Sequence, residues 1–213
     1  MTKFAVLLRG DLHSTDRLKR QLAGARVIAA DAGMMHAGPL GLEAELWVGD
    51  FDSASPALLA HAGHVPRQTF PADKDASDGE LAVRAALDRG AREIILAGGF
   101  GGQSDHAFAH MTLALGLARA GIAAFVTSGH EEAWPLHPGE HRLDAPAGSR
   151  LSVLALSDLQ GLSLAGVRWP LERRAVALGS TLTLSNEVSG AVTVSLAAGN
   201  GIIIVTPPLT AAR

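Results

Sequence analysis

From Phe4 to about Thr127, short apolar runs alternate with segments of helical period. Phe4 to Leu8, Val27 to Ala30, Leu46 to Val48, Glu93 to Ala97 and Ala123 to Val126 read as strands. Thr15 to Ala23, Pro56 to Ala62, Asp78 to Arg89 and His106 to Ala120 read as the helices between them. Alternation of that kind builds βαβ units around a mainly parallel sheet. The last helix carries apolar residues nearly all round (Phe108, Met111, Leu113, Leu115, Leu117), the pattern of a well-buried helix.

The texture changes after Ser128. Trp134, Pro135, Pro138, Gly139, Pro146 and Gly148 punctuate a stretch without helical period. Strand-like runs then recur at Arg150 to Leu156, Val167 to Leu171, Thr181 to Leu184, Ala191 to Leu196 and Gly201 to Val205, with glycines 161, 166, 179, 190 and 199 at turn positions between them. Short strands with glycine turns indicate an antiparallel sandwich or barrel. The expected class is therefore α/β plus all-β, with a boundary near residues 129 to 135: an α/β domain over 1–130 and a smaller β domain over 131–213.

Composition narrows the setting. With 213 residues and 47% hydrophobic content the chain can bury a sizeable core. It has no cysteine, so disulfides and thiolate ligands are excluded and any metal must be held by oxygen or imidazole. No apolar run approaches the ~20 residues of a membrane span, and Met1 to Arg9 has the wrong length and flanks for a signal peptide, so a cytoplasmic protein without a membrane partner is expected. A formal charge of −3 and a pI near 6.3 argue against a broad nucleic-acid surface, which needs clustered Lys and Arg.

Candidate chemistry begins at Val48-Gly-Asp-Phe-Asp-Ser53. If the strand ending at Val48 continues extended, the Asp50 and Asp52 side chains point the same way from the carboxyl edge where open α/β sheets place their ligands. Like charges so close call for a cation, and carboxylates at such an edge suit Mg²⁺ carried with substrate phosphates. A plain turn is the bland alternative, since Gly, Asp and Ser all favour turns. Asp31 ends another strand and has Asp50 and Asp52 as possible neighbours in space. Read blandly, it caps a helix.

Two further segments bear on phosphate. In Lys74-Asp-Ala-Ser-Asp-Gly-Glu80, Ser77 and Glu80 form a capping box that starts a helix at Asp78, with Asp75 in the entering loop. Acids there also complement the helix dipole, but Lys74 among acids offers a place to meet phosphate. Ala97-Gly-Gly-Phe-Gly-Gly-Gln-Ser-Asp-His106 is a glycine-rich strand-to-helix turn whose bare amides and following helix start form a natural phosphate cradle. It is no Walker loop and only approximates the dinucleotide fingerprint, and such loops are also found as plain tight turns. Asp105 and His106 at its mouth can hold metal, orient a hydroxyl or cap the helix.

The order Asp31-Ala-Gly, Gly49-Asp-Phe-Asp-Ser53, Lys74-Asp-Ala-Ser-Asp-Gly-Glu80 and Gly101-Gly-Gln-Ser-Asp-His106 resembles the thiamine pyrophosphokinase family. Gly166-Val-Arg-Trp-Pro-Leu171 and Ser185-Asn-Glu187 extend the resemblance, which spans about residues 27 to 205. It implies a homodimer with an α/β catalytic domain and a β-sandwich that transfers diphosphate from ATP to the hydroxyethyl group of thiamine. Asp31, Asp50, Asp52, Asp75 and Asp78 are then expected at the Mg²⁺ and phosphate site, with Asp50, Asp52 and Asp78 on the metal and Asp50, Asp52, Asp75 and Asp78 in catalysis. Lys74, Gly101, Gly102, Gln103, Asp105 and His106, with Asp31, are expected around the nucleotide. Trp169, Ser185 and Asn186 are expected to form a thiamine pocket, shared across the dimer.

Three positions depart from the family pattern. Ala32 replaces a glycine in Asp-Gly-Gly and disfavours positive φ there. Gln103 replaces the arginine of Gly-Gly-Arg and removes a guanidinium from the nucleotide loop. Either another cation, Lys74 or Arg168, compensates, or nucleotide affinity is weaker. His110 replaces an asparagine. Two other readings stay open: a pyrophosphokinase for another hydroxymethyl acceptor such as a pterin, and a non-catalytic thiamine- or nucleotide-binding homologue.

Overall fold

The structure, a computed structural model, describes residues 2–52, 54–71, 73 and 75–208. The chain divides into two compact units, Met1–Gly129 and His130–Arg213.

In the first unit six strands run parallel: β1 (Lys3–Leu7), β2 (Arg26–Ala30), β3 (Ala44–Gly49), β4 (Arg67–Thr69), β5 (Glu93–Ala97) and β6 (Ala123–Thr127). Their spatial order is β6-β5-β1-β2-β3-β4. Chain direction across the sheet reverses at β1, whose neighbours are β2 and β5, so the loops leaving β1 and β5 diverge there and open a crevice. The central strands are continuous apolar runs because both faces are covered; Phe4, Leu7, Ile28, Trp47, Ile94, Ile95 and Leu96 are fully buried. Helices α1 (Asp16–Leu22), α2 (Ala37–Leu40), α3 (Pro56–His61), α4 (Asp78–Asp88) and α5 (Ser104–Arg119) lie between the strands. Hydroxyls cap three of them: Thr15 accepts from Leu18 N–H, Ser55 from Leu58 N–H and Ser77 from Glu80 N–H, each satisfying an otherwise unmet amide.

Every strand and helix expected in this unit is present, with three differences. β4 carries no hydrophobic signal, since Arg67, Gln68 and Thr69 are all exposed at the sheet edge. The segment after β2 winds into a 3₁₀ turn, Asp31–His36, that runs on into α2. The third concerns α5, which is less buried than its composition suggests. Only Ala114, Leu115 and Leu117 are buried along it, and Phe108 is 56% exposed. An apolar circumference tells how a helix can be covered; whether the chain covers it depends on the elements at hand.

The second unit is a β-sandwich of seven strands: β7 (Glu132–Leu136), β8 (Gly139–Leu143), β9 (Arg150–Ala155), β10 (Leu159–Val167), β11 (Leu171–Val176), β12 (Asn186–Leu196) and β13 (Gly201–Thr206). One antiparallel sheet runs β7-β13-β9-β12 and the other β11-β10-β12-β8. The long β12 serves both, pairing with β9 through Asn186 and Glu187 and with β8 and β10 farther on. Alternate residues from the two sheets close one core, among them Leu136, Leu151, Val153, Leu162, Leu164, Val192, Val194 and Ile203. Two expected strands are corrected. Val167 to Leu171 straddles the turn between β10 and β11, and Thr181 to Leu184 is a turn whose leucines are exposed rather than paired in a sheet. The Pro- and Gly-punctuated stretch after Ser128 holds β7 and β8.

Gly33 shows how tightly the first unit is built: a Cβ there would overlap the Leu7 carbonyl oxygen, whereas one on Gly116, inside α5, would meet nothing within 4 Å. Gly33→Ala is expected to cost about 1–3 kcal/mol through overpacking, and Gly116→Ala to gain up to about 1 kcal/mol from helix propensity. Urea unfolding of the two variants checks both signs.

Candidate active site

The carboxyl ends of β2 and β3 meet at one point. Trp47, fully buried on β3, donates its indole N–H to the Asp31 carbonyl at 2.8 Å. Gly49, next to leave the strand, has no side chain to separate it from Asp31: a Cβ there would stand 3.2 Å from that of Asp31. Phe51 then packs edge-on against Trp47, with ring centroids 5.0 Å apart, and the Arg67 guanidinium lies 4.9 Å from the Trp47 ring centre and 5.4 Å from that of Phe51. This packing holds two non-glycine residues in left-handed conformations, Asp31 at φ 42° and Phe51 at φ 63°. Such positions cost on the order of 1–3 kcal/mol each and concentrate at functional sites.

The outcome is a three-carboxylate cluster. Asp31, Asp50 and Asp52 each bring one oxygen within 4.8 Å of the others. The expected geometry for the last two, an extended strand, is not what joins them: β3 ends at Gly49, Phe51 is left-handed, and the Asp52 N–H donates to Asp50 Oδ1 at 3.3 Å. A turn and a carboxylate pair are therefore the same feature. Ala32 is no obstacle either, because the positive φ falls on Asp31 and Ala32 enters the 3₁₀ turn. The donor set is all oxygen and suits a hard cation. Ligands on one Mg²⁺ stand about 3–4 Å apart, within reach of small side-chain rotations here.

Beside the cluster lies a cavity of about 400 Å³, lined by Leu8, Arg9 and Gly10 after β1, by Ala30 and Asp31, by Ser77, Asp78 and Gly79 at the start of α4, and by Gly98, Gly99, Gly101, Gly102, Gln103, His106 and His110. It sits at the strand-order reversal. The loop leaving β5 needs its glycines: Gly98, Gly101 and Gly102 have φ of 83°, 74° and 64°, and a Cβ at Gly98 would overlap the Leu8 carbonyl. Gln103, the residue before α5, makes no side-chain cap, unlike Thr15, Ser55 and Ser77, and the helix start opens toward this loop.

Of the residues expected here, Asp31, Asp50 and Asp52 cluster, and Asp31, Asp78, Gly101, Gly102, Gln103 and His106 line the cavity. Asp75 is exposed and is not among the lining residues. Asp105 lies in the first turn of α5 and accepts the His106 N–H at 2.9 Å, also outside the lining. Lys74 falls outside the described residues. Two cavity residues carry more than the sequence reading gave them, Arg9 and His110. His110 Nδ1 lies 3.2 Å from the Gly99 carbonyl, which can only accept, so Nδ1 bears the proton and Nε2 is left as an acceptor. Burial lowers the His110 pKa, against the Gly99 bond that raises it and with help from neighbouring His106. Burial likewise lowers that of His36, whose Nε2 meets the Gly10 carbonyl.

A second cavity of about 400 Å³ lies in the sandwich unit, lined by Leu164, Trp169, Leu171, Leu182, Thr183, Leu184, Ser185 and Asn186. It contains all three residues expected to bind an organic cation. Trp169 is 54% exposed. The Arg168 guanidinium covers it at 4.9 Å from the ring centre while pairing with Glu187 at 3.3 Å. Asn186 does positional work: its Oδ1 accepts the Trp169 N–H at 3.1 Å, and its Nδ2 donates to the Trp169 carbonyl at 2.7 Å. Ser185 takes a left-handed φ of 59°, with its N–H bonded to Ser152 Oγ at 2.9 Å.

A parallel α/β unit with carboxylates and a glycine loop at one strand edge, followed by a sandwich with an indole-lined cavity, makes a two-unit protein with a candidate site in each unit. Comparison with known proteins gives the family. Residues 19–126 match the thiamin pyrophosphokinase catalytic domain and residues 140–200 the thiamin pyrophosphokinase vitamin B1 binding domain. The thiamine pyrophosphokinase of Bacillus subtilis (strain 168) is 31% identical over 177 residues, 76% of this chain and 77% of that protein. Among solved structures, thiamine pyrophosphokinase from Bacillus subtilis superposes with a TM-score of 0.83 at 24% identity, covering 98% of this chain and all of that one. The Candida albicans enzyme does so at 0.81 with 13% identity, over 97% and 90%. The chain belongs to the thiamin pyrophosphokinase family.

The two histidines set a pH dependence. Their folded pKa values lie below the ordinary 6.5, so below that pH the unfolded chain binds more protons and stability falls as pH falls. Replacing His110 with Asn should flatten the stability curve between pH 7 and 5 relative to the unmodified chain, by at most about 1.4 kcal/mol per pH unit. Urea titrations at several pH values measure the difference.

Proposed function

We propose that this protein transfers the diphosphoryl group of ATP to the hydroxyethyl oxygen of thiamine, releasing AMP, with Mg²⁺ held by Asp31, Asp50 and Asp52. The observation that carries the reading is the convergence of these three carboxylates beside a cavity whose lining includes the glycine loop and Gln103, which leads into α5 without a side-chain cap bond. Together with the family membership, it supports a site for a metal-accompanied polyphosphate, with oxygen ligands for the metal and a glycine loop at a helix N-terminus for phosphate.

In the transfer, the thiamine hydroxyl oxygen bonds to the β-phosphorus, the bond from that phosphorus to the oxygen bridging to the α-phosphate breaks, and AMP leaves with that oxygen. The hydroxyl proton passes to a carboxylate of the aspartate set. A divalent cation bound by these carboxylates supplies charge neutralisation at the phosphate oxygens. The protein itself contributes positioning: the Trp47 bond to Asp31 and the Asx turn at Asp50 fix the ligands, the glycine loop seats phosphate, and Asp78 and His106 border the same space. In the second cavity Trp169 offers its π face to the cationic thiazolium, a contact worth about 0.5–2 kcal/mol, while Asn186 holds the backbone that presents the indole. A homodimer and a cytoplasmic setting complete the proposal.

Purified protein with ATP, Mg²⁺ and thiamine should release AMP only when thiamine is present. Release with a hydroxymethylpterin in place of thiamine, or nucleotide binding without turnover, would reject the assignment. Asp50→Asn and Asp52→Asn are each expected to lower kcat by at least about 10³ while the far-ultraviolet circular dichroism stays unchanged. Near-normal turnover in either variant removes that carboxylate from the metal site. Trp169→Ala should raise the KM for thiamine about tenfold, with ATP KM unaffected, as expected for loss of a cation–π contact.

A further inference from the structure

A polyanionic donor must find positive charge in a cavity bordered by two carboxylates, Asp31 and Asp78. The loop position where the family resemblance leads one to expect arginine holds Gln103, which has no charge to give. Of the substitutes suggested by sequence, Lys74 lies outside the described residues, and Arg168 belongs to the sandwich unit, stacked on Trp169 and paired with Glu187. Among the described residues lining the cavity, Arg9 is the one lysine or arginine.

Its placement is set by the backbone. Arg9 leaves the end of β1 between two bonds to the strand-loop junction of β5: Leu8 N–H donates to the Ala97 carbonyl at 2.7 Å and Gly10 N–H to the Gly98 carbonyl at 2.9 Å. The following Gly10 lies so close to the glycine loop that a Cβ would overlap the Phe100 carbonyl. Arg9 is thereby fastened along the loop that ends in Gln103, on the β1 side of the crevice. The residue is exposed, and among the described residues no hydrogen bond or ion pair holds its guanidinium.

Resting on the nucleotide reading above, we propose that Arg9 grips the phosphates of the donor nucleotide, taking from the end of β1 the part that a guanidinium at position 103 would play from the start of α5. A guanidinium suits this better than an ammonium because its planar fork meets two phosphate oxygens at once. Arg9 contacts the β- and γ-phosphates, so it distinguishes ATP from AMP and has no part in holding thiamine.

The test is a charge transplant in the full chain. Calorimetric titration with Mg-ATP, inorganic tripolyphosphate, AMP and thiamine is run on the wild type, Arg9→Gln, Arg9→Lys and the double variant Arg9→Gln with Gln103→Arg. Arg9→Gln should weaken Mg-ATP and tripolyphosphate at least tenfold and change AMP and thiamine less than threefold. Arg9→Lys should fall between, and the double variant should regain most of the loss. Unchanged Mg-ATP binding in Arg9→Gln, or equal weakening of all four ligands, overturns the role of Arg9 alone. A wild type that binds no Mg-ATP overturns the nucleotide reading and this inference with it. Arg9→Lys, which keeps the charge and stem, gives the same decision should the glutamine variant fold poorly.

Discussion

One hydrogen bond organises the carboxylate edge of the sheet. Trp47 Nε1–H to the Asp31 carbonyl ties the end of β2 to β3 where Asp31 turns left-handed, and the same indole is the surface on which Phe51 rests. Without that anchor neither strained residue has a reason to keep its conformation, since each pays a backbone penalty that only surrounding packing offsets. The three carboxylates repel one another, so their convergence must be imposed by backbone geometry. The fold does this with a residue whose own side chain is wholly inside the core.

The second constraint is the close packing of loops at the reversal point of the sheet. Gly10, Gly33 and Gly98 each sit where a Cβ would overlap a carbonyl of a neighbouring segment, so the segments after β1, β2 and β5 press together with backbone against backbone. Main-chain bonds fasten them there: Gly10 N–H donates to the Gly98 carbonyl, Asp11 N–H to the Phe100 carbonyl and Gly98 N–H to the Thr127 carbonyl. For the proposed polyphosphate such a wall offers main-chain polarity and the start of α5, with Arg9 as the charged group beside it.

Much of this was legible in the residues. Continuous apolar runs announced the parallel strands, because strands covered on both faces have no polar side, and Ser77 with Glu80 marked the start of α4 to the residue. What escaped had physical causes. β4 is an exposed edge with no apolar face. Thr181 to Leu184 has the alternation of a strand, Thr-Leu-Thr-Leu, but its leucines line a cavity; wall and sheet face read alike in one dimension. Asp50 and Asp52 were placed together by a period-two argument, whereas a left-handed Phe51 brings them together through a turn. The alignment of Arg9 with the glycine loop depends on β1 lying beside β5, a pairing between residues some ninety apart that no local pattern reports. Asn186 illustrates the opposite limit: its position at the cavity was foreseen, but its hold on the Trp169 backbone is visible only in three dimensions.

The two cavities treat positive charge in contrasting ways. Beside the first, three carboxylates gather as the proposed ligands of a hard divalent cation; in the second, the polar side chains nearest the indole are engaged with the protein itself, Asn186 with the Trp169 backbone and Glu187 with Arg168. For the proposed reaction this division matters, because thiamine and Mg²⁺ are both cations and a carboxylate does not discriminate well between them. An indole face does: its quadrupole attracts a diffuse, weakly hydrated organic cation but cannot replace the oxygen ligands that a strongly hydrated magnesium ion demands. On the proposed reading, the Asp31, Asp50 and Asp52 cluster suits the strongly hydrated metal and the Trp169 cavity the weakly hydrated organic cation, so the two cations are sorted by the stiffness of their hydration.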